Sequence, residues 1–401
     1  MFVGYLPNLR KKMYMIKYIA IILLTSIIIH DNHHLVASNY KYQYNTPLNK
    51  TDAVKITQEI FNNYKEHILQ TRLDEMEDHY IRINDKEMKF SLKSFGSKPE
   101  GGWSLYISLH GGGGVADSVN ESQWNRHHTL YTFKEGIVLI PRSPTNTWNM
   151  WHQDHIDLFF NRLIQNMISL HSVDPNRIYL MGYSAGGDGV YQVAPRMADR
   201  FAAAAMMAGH PNETSPLGLR NVGFTIHMGE NDSAYNRNKV ALEWKNQLKI
   251  LKENDIGGYQ HSVVIHKNKG HWMGGLDTSA ISWISMFNRN PYPKKVVWKQ
   301  DDVTHKRFYW LRVNKPLKNS LIKASIINQN IYIEESTVSD LIICLNDDLI
   351  NMDETIIVEY LGNEVFSGIV PRDVKIISRS ISEYGDPESV FFGELSLSLD
   401  Q

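Results

Sequence analysis

The sequence predicts an α/β fold: a mostly parallel β-sheet flanked by helices, followed by a small all-β, sandwich-like C-terminal domain. Between residues 101 and 293, short apolar runs alternate with longer amphipathic segments, which is typical of parallel strands joined by helices. After residue 293 the apolar runs stay short and turn residues separate them, which is typical of a β-sandwich. A chain of 401 residues is long enough for one large and one small domain.

Individual elements can be assigned from these runs. The predicted strands of the first part lie at 105–109, 137–140, 177–181, 201–206, 224–227 and 262–265. Between the second and third strands, apolar residues at three- and four-residue spacing predict a helix face: Ile156, Phe159, Phe160, Leu163, Met167 and Leu170. Residues 39–100 carry a helical pattern and two short alternating runs, which predict an N-terminal extension. Strand-like runs at 308–313, 321–327, 331–333, 341–345, 356–360 and 390–397 assign residues 294–401 to the β-rich accessory domain.

Residues 1–38 have the pattern of a secretory signal peptide. Lys11, Lys12 and Lys17 precede an apolar stretch at 18–29, and a segment with small residues, as at a signal-peptide cleavage site, follows at 35–38. A membrane-spanning helix needs roughly 20 apolar residues, so no stable membrane span is expected once the signal is removed. The sequence therefore predicts a secreted or periplasmic protein.

Charge and cysteine content exclude several function classes. The chain has 42 basic and 43 acidic residues and a net charge of -1. It therefore lacks the excess of positive charge that is typical of nucleic-acid-binding proteins. The single cysteine, Cys344, lies in an apolar run and cannot form an intramolecular disulfide. His152 and His155 have no third ligand at a fitting spacing, so no metal site is expected.

The segment 182–186 has the pattern G-x-S-x-G, with Ser184 at its centre. Roughly one chain in seven of this length would contain the pattern by chance, so its surroundings decide its meaning. Here it directly follows the predicted strand at 177–181 and precedes Gly187, where a helix can begin. A strand-to-helix turn of this kind exposes a serine hydroxyl above the sheet. Ser184 is therefore the predicted nucleophile.

A second glycine-rich segment, His110 followed by four glycines at 111–114, comes after the predicted strand at 105–109. Backbone N–H groups in such a loop are not shielded by side chains and can bind a developing oxyanion. No Lys-Ser/Thr follows, so a phosphate-binding P-loop is excluded. We expect the oxyanion hole to comprise N–H groups of Gly112 and Gly113 together with that of Ala185, the residue after the nucleophile.

A nucleophilic serine requires a base and an orienting carboxylate, which in this arrangement follow it in the order acid, then histidine. Asp232 lies just past the predicted strand at 224–227, and His271 lies in the loop after the strand at 262–265. Both positions fit the order, so Asp232 and His271 are the predicted acid and base. Glu230 and Asp277 are rival carboxylates in the same two loops.

Several aromatic residues fall in loops at the carboxyl edge of the predicted sheet, where ligands bind in such folds. Trp148 and Trp151 are candidate substrate-binding residues because they can stack on a sugar or aryl group; packing within the protein is the alternative for both. Arg142 ends a predicted strand and either lines the pocket or forms a structural salt bridge.

Together these motifs resemble the α/β-hydrolase superfamily, and within it secreted esterases similar to polyhydroxybutyrate depolymerases and to feruloyl or acetyl-xylan esterases. The resemblance covers roughly residues 100 to 290 and rests on the segments at 110–114, 182–187, 229–232 and 270–271. It implies the nucleophile, acid, base and oxyanion donors named above. The substrate does not follow from it, because such folds support many reactions.

The expected function is extracytoplasmic hydrolysis of carboxylic esters through an acyl-enzyme, without a cofactor. The expected partner is an ester substrate, with carbohydrate-linked and polymeric esters among the candidates. Two alternatives stay open: a serine peptidase of the prolyl-oligopeptidase type, and a non-catalytic surface or polysaccharide-binding protein that retains the fold. The β-rich domain is expected to contribute no chemistry, because every predicted catalytic residue precedes residue 290.

Overall fold

The structure, a computed structural model, describes residues 47–399. The predicted signal peptide at 1–38 and the beginning of the predicted extension at 39–100 lie outside the described residues. Between residues 47 and 399, no helix combines the length and the apolar character that crossing a membrane requires.

An eight-stranded sheet forms the centre of the molecule. Its strands are β1 (Tyr80–Ile83), β2 (Lys86–Phe95), β3 (Trp103–Leu109), β4 (Gly136–Pro141), β5 (Val173–Tyr183), β6 (Ala203–Met207), β7 (Gly223–Gly229) and β8 (His261–His266). They lie in the order β1-β2-β4-β3-β5-β6-β7-β8, and β3 to β8 are parallel. The central strands are buried along almost their whole length, as parallel strands covered on both faces must be. The predicted fold class is confirmed.

Helices cover this sheet. They are α1 (Lys50–Glu77), α2 (Asp117–Leu130), α3 (Asp154–His171), α4 (Ala185–Arg196), α5 (Arg237–Asn254) and α6 (Ser279–Ile284). The apolar face predicted within α3 is buried from Ile156 to Met167. α3 ends where Ser172 takes a left-handed conformation, and β5 begins at the next residue.

The boundary predicted at residue 100 does not coincide with a break in the sheet. β1 and β2 form an antiparallel hairpin, and β2 pairs with β4 from Phe90 to Phe95. These strands alternate in burial and lie at the edge of the sheet, which explains why their sequence runs are short. Residues 80–95 therefore extend the central sheet at its edge.

The C-terminal region contains two small sheets, as predicted, and one helix that was not predicted. One sheet comprises β10 (Arg307–Phe308), β11 (Leu311–Arg312), β14 (Asp340–Leu345) and β17 (Gly393–Ser398). The other comprises β9 (Lys295–Lys299), β12 (Leu321–Ile327), β13 (Asn330–Ser336), β15 (Ile356–Tyr360) and β16 (Asn363–Gly368). All neighbouring pairs are antiparallel except β13 with β15. The additional helix is α7 (Val374–Tyr384), which packs against α1.

The C-terminal region packs closely against the central sheet and its helices. A single hydrophobic cluster includes residues from both parts. Asp386 lies 2.7 Å from the guanidinium of Arg289, with both side chains about 1% exposed, and Arg200 is 3.9 Å away. Burial alone would raise the pKa of Asp386, but the two guanidinium groups outweigh it and hold that pKa below its ordinary value. The division into separate domains at residue 293 stays a prediction.

We predict that Asp386→Asn destabilises the protein by about 3–5 kcal/mol, because it removes the carboxylate that pairs with buried Arg289 and Arg200. Since the folded-state pKa of Asp386 is depressed, the stabilisation is present at neutral pH and is lost as the pH falls towards that pKa. Thermal unfolding measured against pH checks this. Asp85→Asn, a change in an exposed surface pair with Lys86, is the control and should leave the unfolding midpoint nearly unchanged. Equal midpoints for Asp386→Asn and wild type would contradict the prediction.

Candidate active site

Ser184 lies on the sharp turn between β5 and α4. Its backbone has φ 59° and ψ -122°, a conformation that is strained for a residue with a side chain. The turn is tight because the backbone of Gly186 lies against that of β3: a Cβ on Gly186 would meet the carbonyl oxygen of Leu109 at 2.0 Å. Glycine is therefore required there, which explains the spacing of the motif around Ser184.

The side chains of Ser184, His271 and Asp232 form a continuous hydrogen-bonded chain. His271 Nε2 is 2.9 Å from Ser184 Oγ, and His271 Nδ1 is 2.7 Å from Asp232 Oδ2. Asp232 follows β7 and is buried, whereas His271 follows β8 and is partly exposed. An ionised carboxylate only accepts hydrogen bonds, so the proton lies on Nδ1 and leaves Nε2 free to accept from the serine hydroxyl.

The two rival carboxylates make other contacts. Glu230 is exposed and accepts a hydrogen bond from the Asn268 amide at 2.8 Å. Asp277 is buried and accepts one from the Tyr131 hydroxyl at 2.7 Å. Asp232 is thus the carboxylate in this region that reaches His271.

The glycine loop lies beside Ser184, but one of its predicted donors is occupied. The Gly113 amide donates to Asn120 Oδ1 at 2.9 Å, and Asn120 Nδ2 donates back to the Gly113 carbonyl at 2.9 Å. Gly113 is therefore not a free oxyanion donor in this conformation, and the prediction for it is corrected. Gly112 and Ala185 have no hydrogen-bond partner for their N–H groups among the described residues, and Ala185 begins α4, where N–H groups are unpaired.

The prediction for Trp151 is also corrected. Its side chain is fully buried, and its indole N–H donates to the carbonyl of His110 at 3.0 Å. His110 is buried too, and burial lowers its pKa to about 3, so the ring is neutral at physiological pH. His110 Nδ1 donates to the Gly111 carbonyl at 2.6 Å, and Nε2 accepts from the Ser143 amide. Trp151 and His110 thus support the glycine loop from inside the protein.

Two cavities adjoin Ser184. The first, of about 310 Å³, is bordered by Val119, Leu130, Tyr183, His271 and Trp272. The second, of about 580 Å³, is bordered by Trp148, Asp188, His210, Tyr235 and Arg237. Trp148 is 62% exposed at the rim of the second cavity, so it remains available to a ligand. Both cavities reach Gly112 and Ser184.

Two hydrogen bonds of Tyr183 hold the loop that carries His271 in place. The Tyr183 hydroxyl donates to the His271 carbonyl at 2.6 Å and accepts from the Met273 amide at 3.1 Å.

Burial raises the pKa of Asp188, which borders the second cavity, to about 6, although the His210 amide, at 2.6 Å, and the charge of Arg237 oppose this. Asp188 is therefore mostly ionised above neutral pH.

Two other sequence candidates lie outside the cavities. Arg142 is buried and pairs with Asp117 and Glu121, which is the structural alternative considered above. His152 and His155 join no cluster of three metal-binding side chains in the described part of the chain.

The fold is the α/β-hydrolase fold. Within it, residues 137–273 match the Dienelactone hydrolase family. Over 146 residues the chain is 30% identical to the bifunctional acetylxylan esterase/xylanase XynS20E of Neocallimastix patriciarum, covering 35% of this chain and 21% of that protein. Over 118 residues it is 29% identical to poly(3-hydroxyalkanoate) depolymerase C of Paucimonas lemoignei, covering 27% of this chain and 28% of that protein.

The chain thus spans between a fifth and a third of the length of these relatives. Among solved structures, a thermostable esterase has a TM-score of 0.39 at 19% identity over 53% of this chain and 64% of that one. The Bacillus cereus carboxylesterase has a TM-score of 0.36 at 17% identity over 55% of this chain and 98% of that one. The resemblance to α/β-hydrolases and their esterases that the sequence predicted is confirmed by the family match and by the two relatives.

We predict that Asn120→Ala lowers kcat by about 10- to 100-fold, the range that follows from small displacements of catalytic groups. The mutation removes both hydrogen bonds to Gly113 and a third to Asn146, so the glycine loop is free to move relative to Ser184. Steady-state hydrolysis of a small ester measures the effect. Asn125→Ala, an exposed position on the same helix, should retain wild-type kcat; equal rates for both variants would contradict the role of Asn120.

Proposed function

We propose that this protein is a serine hydrolase that cleaves carboxylic esters through an acyl-enzyme. The observation that carries the proposal is the hydrogen-bonded chain from Ser184 Oγ through His271 to Asp232, with distances of 2.9 and 2.7 Å. The unpaired N–H groups of Gly112 and Ala185 beside the serine support it further. The similarity to an acetylxylan esterase/xylanase and to a poly(3-hydroxyalkanoate) depolymerase also supports ester hydrolysis.

In the proposed reaction, Ser184 Oγ attacks the ester carbonyl while His271 Nε2 accepts the hydroxyl proton. Asp232 holds the imidazole in the required tautomer and stabilises the positive charge that it acquires. The N–H groups of Gly112 and Ala185 bind the negative oxygen of the tetrahedral intermediate. His271 then protonates the departing alcohol. In the second half of the reaction, water attacks the acyl carbonyl while His271 accepts its proton, and the bond to Ser184 Oγ breaks as His271 returns that proton to the serine oxygen. These steps require no cofactor.

The two cavities have different roles in this scheme. His271 must protonate the oxygen of the leaving alcohol, and it borders the first cavity only. We therefore assign the alcohol group to the first cavity and the acyl group to the second. Because Asp188, His210 and Arg237 border the second cavity, a polar acyl group suits it better than a long aliphatic chain.

The substrate belongs to the esters, with polymeric and carbohydrate-linked esters as the first to examine. The names of the two relatives, an acetylxylan esterase/xylanase and a poly(3-hydroxyalkanoate) depolymerase, support these classes. Trp148, exposed at the rim of the second cavity, can stack on a sugar or aryl ring. The signal-like pattern at 1–38 supports action outside the cytoplasm.

We predict that Asp232→Asn lowers kcat on p-nitrophenyl acetate by about 10⁴-fold, because an amide favours the wrong imidazole tautomer. Glu230→Gln, a matched change two residues away that does not contact His271, should retain wild-type kcat. Ser184→Ala gives the background rate. A near-normal Asp232→Asn with an inactive Glu230→Gln would reassign the acid.

A substrate panel separates the proposed function from its alternatives. Acetylated xylan and p-nitrophenyl esters should be hydrolysed in a manner that depends on Ser184, whereas peptide anilides should not. Faster cleavage of peptide anilides would favour the peptidase alternative. Absence of turnover on every substrate by a folded protein would favour the non-catalytic one.

A further inference from the structure

Arg237 lies beside the carboxylate of the proposed triad. Its Nη1 is 3.6 Å from Asp232 Oδ1, and the two side chains are 12% and 2% exposed. The other oxygen, Oδ2, accepts the hydrogen bond from His271 Nδ1 at 2.7 Å. The two oxygens of one buried carboxylate are thus divided between a cation and the histidine.

The chain holds Arg237 in this position through the start of α5. Tyr235 and Asn236, just before the helix, both take left-handed conformations, and the guanidinium lies 4.9 Å from the ring centre of Tyr235. The Asn238 amide donates to the Asp232 carbonyl at 3.0 Å. The first turn of α5 is therefore attached to the same residue that its arginine faces.

A second carboxylate, that of half-buried Asp188, adds to the negative charge in this region. Asp188 lies four residues after Ser184 and borders the same cavity as Arg237. The charge of Arg237 lowers the pKa of Asp188 against the effect of burial. A carboxylate so near Ser184, with no cation to balance its charge, would destabilise the negative charge that develops on the carbonyl oxygen of the ester in the transition state. Arg237, which borders the same cavity, is a cation that can compensate it.

Extending the proposed function, on which this rests, we propose that Arg237 is a positioning residue of the triad. It holds Asp232 so that Oδ2 is directed at His271 Nδ1, and it compensates the charge of Asp188. Loss of the guanidinium lets the carboxylate rotate and leaves two negative groups beside the reacting centre. The effect therefore falls on the chemical step more than on binding of a small ester.

The test compares kcat and KM of Arg237→Gln, Arg237→Lys and Lys239→Gln on p-nitrophenyl acetate at pH 8. Arg237→Gln should lower kcat by about 10- to 100-fold with little change in KM. Arg237→Lys should restore most of the loss, because the contact to Asp232 is a single ion pair through one nitrogen. Lys239→Gln removes a positive charge from an exposed position in the same turn and should behave as wild type.

A double-mutant cycle with Asp188→Asn tests the charge compensation. The variant carrying both Arg237→Gln and Asp188→Asn should have a higher kcat than Arg237→Gln alone, since it removes one charge of each sign. Circular dichroism and thermal unfolding establish that each variant folds. If Arg237→Gln does not fold, Arg237→Met, uncharged and of similar length, gives the same comparison.

Three results would overturn the inference: wild-type kcat in Arg237→Gln, equal impairment of Arg237→Lys and Arg237→Gln, or no gain from Asp188→Asn in the Arg237→Gln background. These differ from failure of the proposed function. In that case the wild-type protein itself would show no ester hydrolysis dependent on Ser184, whatever residue stands at position 237.

Discussion

The site depends on backbone contacts that are closer than any side chain would allow. A Cβ on Gly182 would meet the carbonyl oxygen of Gly186 at 2.2 Å, and one on Gly186 would meet that of Leu109 at 2.0 Å. These contacts fix β5, α4 and the end of β3 relative to one another. They hold Ser184 at a positive φ and bring its hydroxyl next to the glycine loop. β7 and β8 continue the same parallel sheet, so the loops that follow them, which carry Asp232 and His271, begin at the same carboxyl edge as the turn of Ser184.

Much of this arrangement was predictable because it follows from local pattern and chain order. Buried parallel strands require nearly continuous apolar runs, and such runs mark β3 to β8 in the sequence. Once the strands are known to be parallel, residues that follow their carboxyl ends must lie together. Ser184, Asp232 and His271 are therefore predicted to lie at one edge, and in the structure their side chains are within hydrogen-bonding distance of one another.

The remaining features depend on contacts that a linear pattern does not report. Asn120 resembles any polar residue of α2, yet its side chain occupies the amide of Gly113. Trp151 looks like a pocket aromatic, but it is buried under the glycine loop. No element is predicted over α7, although it has recognisable ends, an Asp373 N-cap and a left-handed Gly385. Its β-branched isoleucines weaken the helical signal. In each case tertiary packing decides between two local possibilities.

In the proposed mechanism, Ser184 is activated by His271 and the surrounding N–H groups. Reaction of the folded protein with a fluorophosphonate probe, followed by peptide mass mapping, tests it most directly, because such probes modify only activated serine nucleophiles. We expect one equivalent of label, located on Ser184 and lost in His271→Ala. Label on another serine, or none on folded wild-type protein, would contradict it.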